Sequence, residues 1–148
     1  MNSDAALHAQ GKAQFIDDIP LTPDTLHAFP LTATIAHGAI KALDFSAALA
    51  LQGVVEILTA KDIPGINQVG NVAADEVLLA NNEVCYQGQP LALIIAKTAK
   101  LARQAAKLCV IEYQALPAVF DAREADRLGL HIAPPRSFSI GDIDNIWQ

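Results

Sequence analysis

Along residues 26–35 the apolar positions Phe29, Leu31, Ala33 and Ile35 alternate with smaller or polar residues, the period-two signature of a half-buried strand. Pro30 interrupts it, and because proline cannot donate to a ladder, the strand is expected to lie at a sheet edge or to bulge there. A second extended stretch covers residues 40–43. Asp44 or Ser46 can then cap a short helix over residues 47–52, and Gly53 stands where a left-handed stop is wanted. Residues 54–58 are rich in β-branched side chains and read as a strand, followed by a turn of helix ended by Pro64 and Gly65. Residues 65–80 form a long connection with little periodicity, a length that in compact domains tends to be functional or interfacial.

Residues 91–96 are apolar on both faces, which predicts a central strand covered on each side. Thr98 caps a predicted helix running to about Cys109. Its Leu101, Ala102, Ala105, Leu108 and Cys109 fall on one side, and Lys100, Arg103, Gln104 and Lys107 fall on another. A last strand spans residues 110–113; if it pairs parallel with residues 91–96, the crossover is right-handed. Residues 1–12 are polar and aperiodic and read as a flexible arm, and structure is expected to begin near Ala13. Beyond Pro117 the chain turns irregular, and Pro134-Pro135 reads as a departing linker.

Composition narrows the functional classes. The 148 residues can form a single domain that buries roughly 68–70% of its unfolded surface. They are 52% hydrophobic and only 5% aromatic, which fits an aliphatic core. A net charge of −6 is the wrong sign for a protein that neutralises nucleic-acid phosphates or an anionic membrane, so neither is an expected partner. Residues 1–10 lack the basic and apolar regions of a secretory signal, and no apolar run approaches membrane-spanning length; a cytoplasmic location is the expectation.

The candidate chemistry is sparse. Cys85 and Cys109 stand far apart, and two thiols cannot by themselves complete a zinc or iron–sulfur site. His8, His27, His37 and His131 are too scattered for a helical metal pair. Asp17 and Asp18 are adjacent, so on an extended chain they point to opposite faces, and a turn or cap role fits them better than a shared acid–base site. Ser3, Ser46, Ser137 and Ser139 sit in no nucleophile elbow, Gly11-Lys12 lacks the glycine spacing of a phosphate loop, and Glu112 reads as an exposed strand residue. The stripe Lys97, Lys100, Arg103 and Lys107 reads as a solvated helix face. Tyr86-Gln87-Gly88-Gln89-Pro90 is more specific: it marks a shaped entry to the central strand, with Gln89 able to hydrogen-bond at a domain junction. No catalytic, cofactor-binding or metal-binding residue is assigned.

Several of these turns recur together in a known order. They are Gly11-x-Ala13-x-Phe15-x-Asp17-Asp18-Ile19-Pro20, Ala36-His37-Gly38-Ala39-Ile40 with Asp44, and Gly53-Val54-Val55 leading to Thr59-Ala60-x-Asp62-Ile63-Pro64-Gly65-x-Asn67. Next come Val84-x-Tyr86-x-Gly88-Gln89-Pro90-x-Ala92, Ala102, Ala105-Ala106, and Ile111-Glu112-Tyr113-x-Ala115-Leu116-Pro117. The chain resembles the α/β hammerhead domain that opens the molybdopterin-binding subunit of xanthine dehydrogenases and aldehyde oxidases. The run from Asp62 to Asn67, with Asp75-Glu76, looks most like the xanthine dehydrogenase branch. Phe15, Gly38, Gln114 and Pro30 depart from the usual tyrosine, alanine, glutamate and uninterrupted strand.

The resemblance implies an α+β fold, an α/β hammerhead with a mixed sheet and two main helices, over residues 13–133, with residues 134–148 starting a linker to a molybdopterin-binding domain. It also implies a parent enzyme that hydroxylates a purine such as hypoxanthine or xanthine and passes electrons through 2Fe-2S clusters to FAD. No cofactor is expected in this chain. Its partners would be the remaining domains of the molybdopterin subunit and the FAD and iron–sulfur subunit or domains. Its own role would be structural, the isolated chain would be inactive, and its stop at Gln148 would be a truncation. Two other classes compete. A lipoyl- or biotinyl-type carrier would need a Met-Lys-Met-like hairpin, and Met1 is the only methionine. A free-standing small-molecule-binding module using residues 65–80 has no such obstacle.

Overall fold

The computed structural model describes residues 3–72, 74–131, 133–134, 136–138 and 140–146. The linker reading at Pro135, Ser139 and the terminal Met1, Trp147 and Gln148 fall outside these. The chain divides into two compact units, Met1–Ala115 and Leu116–Gln148.

Within the first unit the strands form two three-stranded sheets. The first has the order β1-β5-β3, built from β1 (His27–Thr32), β5 (Pro90–Ala96) and β3 (Val54–Thr59). The second has the order β4-β2-β6, built from β4 (Glu83–Val84), β2 (Gly38–Asp44) and β6 (Val110–Ala115). The α+β hammerhead class holds, but every ladder between these strands is antiparallel, so the expected mixed sheet is corrected to two antiparallel ones. The conditional parallel pairing of β6 with β5 fails for a simple reason: both edges of β5 are already taken, by β1 and β3. The β6 strand pairs with β2 instead. The central position of β5 and the edge position of Pro30 are as the pattern predicts.

Two short helices cover the first sheet. Helix α2 (Ser46–Leu49) is entered through Asp44, whose Oδ1 accepts from the Ser46 N–H at 2.9 Å. Helix α3 (Ala99–Ala106) is capped by Thr98, whose hydroxyl accepts from the Leu101 N–H at 3.1 Å. Ala102 and Ala105 of α3 are fully buried. They pack in one cluster with Leu31, Ala92, Ile94, Ala96 and Ala48. Small residues on the helix let it lie close to the strands, while Ile94 fills the space between. Gly53 has φ +97°, and a side chain there would also meet Leu101 Cδ2 at 2.8 Å, so glycine is required where the chain turns into β3.

A second cluster of Ala33, Ala80, Val84 and Leu91 joins the sheets, with Ile40 and Tyr113 packed against it. Leu91 is fully buried, so the start of β5 is inserted between the sheets. Residues 3–9, expected to be aperiodic, form helix α1 (Ser3–Ala9). In the second unit, Asp121 caps helix α4 (Ala122–Arg127) by accepting from the Arg123 and Glu124 N–H groups. Gly129, at φ +69°, ends α4 with its N–H on the Asp126 carbonyl at 3.0 Å. A short helix α5 (Ile143–Ile146) lies near the C-terminus.

Candidate functional site

The outer face of the first sheet carries a groove of about 470 Å³. Its floor is one cross-strand row, because Pro30 of β1 and Leu58 of β3 both pair with Leu93 of β5. Neighbouring rows alternate sides: Phe29 and Ile57 flank the fully buried Ile94 and face α3, as the period of two requires. The walls come from Ile63 and Pro64, just after β3, and from Leu78 and Leu79, at the end of the long connection.

Both walls are fixed by polar groups that the sequence places locally. Thr59 donates its N–H to Asp62 Oδ2 at 2.7 Å and its hydroxyl to the same oxygen at 2.8 Å. That clasp turns the chain so that Ile63 and Pro64 reach the groove, and the two hydrogen bonds from Thr59 hold the Asp62 carboxyl below its ordinary pKa of 3.8. On the other wall Asn67 is hydrogen-bonded in both directions to the backbone of Leu79. Around this clamp the connection exposes Ile66, Val69, Val72, Val77 and Leu78 to solvent. A contiguous apolar groove beside such a loop is the kind of exposed surface that marks an interaction site.

The residues of the Tyr86–Pro90 turn are placed differently from the junction reading. Gln89 is only 5% exposed, and its Oε1 accepts from the Cys85 N–H at 2.7 Å. The turn is tied to the first sheet by Gly88 N–H on the Ala33 carbonyl and by Ala33 N–H on the Gln89 carbonyl. Gln89 is thus a folding residue, while Tyr86, Gln87 and Gly88 of the turn are exposed.

The remaining candidates do not assemble a reaction centre. Asp18 caps a single 3-10 turn by accepting from the Phe15 N–H at 3.0 Å, as a cap role requires. His37 Nε2 lies 2.7 Å from Glu83 Oε1, tying the start of β2 to β4. His131 is 4.0 Å from Asp126, and His8 packs against the Phe15 ring. Burial raises the Cys109 thiol pKa above its ordinary value, with the Asp44 charge adding to the effect, and its Sγ donates to the Ala105 carbonyl. Lys97, Lys100, Arg103 and Lys107 are exposed on or beside α3, where Arg103 also sits over the Phe29 ring. Among the described residues no three His, Cys, Asp or Glu side chains form a group that could hold a metal ion. The one carboxylate lining the groove, Asp62, is engaged by Thr59. These residues do not fit a molybdenum centre, an iron–sulfur cluster or a polar pterin, and no reaction step runs through them. No helix among the described residues is long and apolar enough to cross a membrane.

Sequence reasoning found Pro30, the Ile63-Pro64 turn and the long connection separately, but not their convergence. The available signal was the apolar outer positions Leu58 and Leu93, one on each of two predicted strands.

Fold and groove together define an α+β module with an apolar groove on the outer face of its first sheet. Residues 10–117 match the family model described as "Aldehyde oxidase and xanthine dehydrogenase, a/b hammerhead domain", and the chain belongs to that family. It is a domain of xanthine dehydrogenase/aldehyde oxidase family molybdenum hydroxylases. It is 36% identical to xanthine dehydrogenase 2 of Arabidopsis thaliana over 97% of this chain and 11% of that protein. It is 36% identical to aldehyde oxidase 1 of Bos taurus over 95% of this chain and 11% of that protein. Among solved structures, a CO dehydrogenase from Oligotropha carboxidovorans superposes with a TM-score of 0.73 at 32% identity, over 83% of this chain and 16% of that one. An aldehyde oxidoreductase from Desulfovibrio gigas gives 0.74 at 27%, over 83% of this chain and 15% of that one. The chain thus spans about a tenth of the length of the curated relatives it matches.

Proposed function

We propose that this chain is the assembly domain of the molybdenum-binding part of a xanthine dehydrogenase, with the groove over Leu58 and Leu93 as its docking surface. The parent enzyme hydroxylates a purine such as hypoxanthine or xanthine in the cytoplasm and passes electrons through 2Fe-2S clusters to FAD. On this reading the working domain is residues 13–133, preceded by an arm at 1–12 that contains helix α1 and followed by a linker from residue 134. The FAD and iron–sulfur parts, with the rest of the molybdopterin subunit, are its partners. The observation that carries this reading is the groove itself: an apolar row across three strands, left open in a chain that covers a tenth of its relatives. The purine assignment is supported by the resemblance of residues 62–67 and 75–76 to the xanthine dehydrogenase branch.

The domain's share of the chemistry is positional: a rigid sheet holds neighbouring segments while the cofactors carry the reaction. Purified chain assayed with hypoxanthine or xanthine and an artificial electron acceptor is expected to give no turnover. Turnover that scales with chain concentration and survives removal of contaminating enzyme overturns the reading.

A second reading has one observation in its favour. The groove volume of about 470 Å³ falls within the range of small-molecule pockets, about 300–1,000 Å³. Such pockets need a few convergent polar groups to orient a ligand, and this lining supplies only Thr59 and Asp62, already bonded to each other. Saturable calorimetric binding of hypoxanthine to the isolated chain would favour a binding module over an assembly domain.

A further inference from the structure

The two sheets have four outer edges, and three are guarded against pairing. The β1 edge contains Pro30, which has no N–H to offer. The β3 edge is distorted by a register shift between Val54 and Glu56 and carries the Glu56 charge. The β4 edge is two residues long. Only β6 presents a full strand, Val110–Ala115, with neither proline nor a bulge of its own; the irregularity in its ladder falls on β2, between Ile40 and Ala42. Short strands, proline, bulges and charges are the usual means of blunting an edge, and β6 has one charge, Glu112. Among the described residues, the backbone of β6 makes no ladder except that with β2.

We propose that the free edge of β6 receives an extended strand from the remaining part of the parent protein, continuing the β4-β2-β6 sheet by a fourth strand. This deepens the assembly reading and rests on it. Main-chain hydrogen bonds would supply the affinity, and alternate side chains the register. Ile111 and Tyr113 are half-buried against the core while Val110, Glu112 and Gln114 are exposed, so the incoming strand must be apolar on the first face. Opposite Glu112 it would carry a cation or a hydroxyl. The charge pattern favours such a segment over a second copy of this chain. Each copy carries a net charge of −6, and antiparallel self-pairing centred on Glu112 would set two carboxylates opposite each other.

The test is hydrogen exchange on the 148-residue chain, alone and with overlapping synthetic peptides that cover the part of Arabidopsis thaliana xanthine dehydrogenase 2 outside the matched segment. At least one peptide should slow exchange of the 110–115 amides by about ten-fold or more. N-methylation of alternate amides in that peptide should abolish the effect, and Glu112→Lys should weaken peptides bearing a cation opposite it. The inference is overturned if no peptide protects these amides, or if protection survives N-methylation. It is equally overturned if protection appears without peptide as the chain is concentrated, which would identify a second copy as the occupant. Footprinting in a full-length hydroxylase carrying this sequence separates the two levels. A protected groove with an unprotected 110–115 edge sinks the strand proposal alone; exposure of both sinks the assembly reading as well.

Discussion

Asn67 and Leu79 hold each other by two hydrogen bonds: Asn67 Nδ2 donates to the Leu79 carbonyl at 2.7 Å, and Asn67 Oδ1 accepts from the Leu79 N–H at 2.9 Å. One side-chain amide thereby substitutes for a strand neighbour and closes a connection that has little regular structure of its own. Through Leu79 it also sets one wall of the groove.

Asn67→Ala removes both bonds and leaves the Leu79 N–H and carbonyl without this partner. The expected loss is about 1–3 kcal/mol in urea denaturation. Exchange of the Leu79 amide should accelerate before global unfolding does. Asn67→Asp, which keeps the acceptor and loses the donor, should fall between the two.

Gly38→Ala tests a close approach between strands. A Cβ at Gly38 would lie 2.8 Å from the Gln114 carbonyl oxygen and 2.5 Å from Ile35 Cδ1. The isoleucine can rotate away, but the backbone oxygen cannot, so the β2–β6 ladder must shift. Overpacking of this kind costs about 1–3 kcal/mol, which thermal unfolding would register.

Ile94 is the largest fully buried side chain of the cluster under α3. Ile94→Ala should destabilise the chain by about 2–5 kcal/mol, since the fixed alanines of α3 leave little to collapse into the cavity. Denaturant unfolding followed by circular dichroism measures it.

The Asp62 clasp predicts an acid-side dependence. Its carboxyl pKa is lowered in the folded chain by the hydrogen bonds from Thr59, so the stabilisation is present above the unfolded value of 3.8 and is lost as pH falls through the lower folded value. Between about pH 6 and about pH 3 the melting temperature of Asp62→Asn should therefore fall less than that of the unaltered chain. Equal falls would mean that the clasp contributes nothing.

The elements read most directly from sequence are those with local causes. Helix α3 follows from the Thr98 cap and the alanine spacing at 102 and 105, and β5 from an apolar run too short for a helix and too apolar for an edge. The resemblance supplied the hammerhead class, which the family match confirms. The division into two antiparallel sheets was not legible, because it depends on which distant strand occupies each edge of β5. Strand β4, with two residues, has no period to detect. Residues 4–9 of helix α1 are all exposed, so they offer no buried stripe that could have announced it. The groove was hidden for the same reason: residues 30, 58 and 93 become neighbours only through ladder register.

Hydroxyl-radical footprinting of the groove, in the isolated chain and in a full-length molybdenum hydroxylase carrying it, tests the assembly reading most directly. Leu58, Ile63, Leu78 and Leu93 should be labelled in the isolated chain and protected in the full-length protein. Equal labelling of these side chains in both would contradict a docking role for this face.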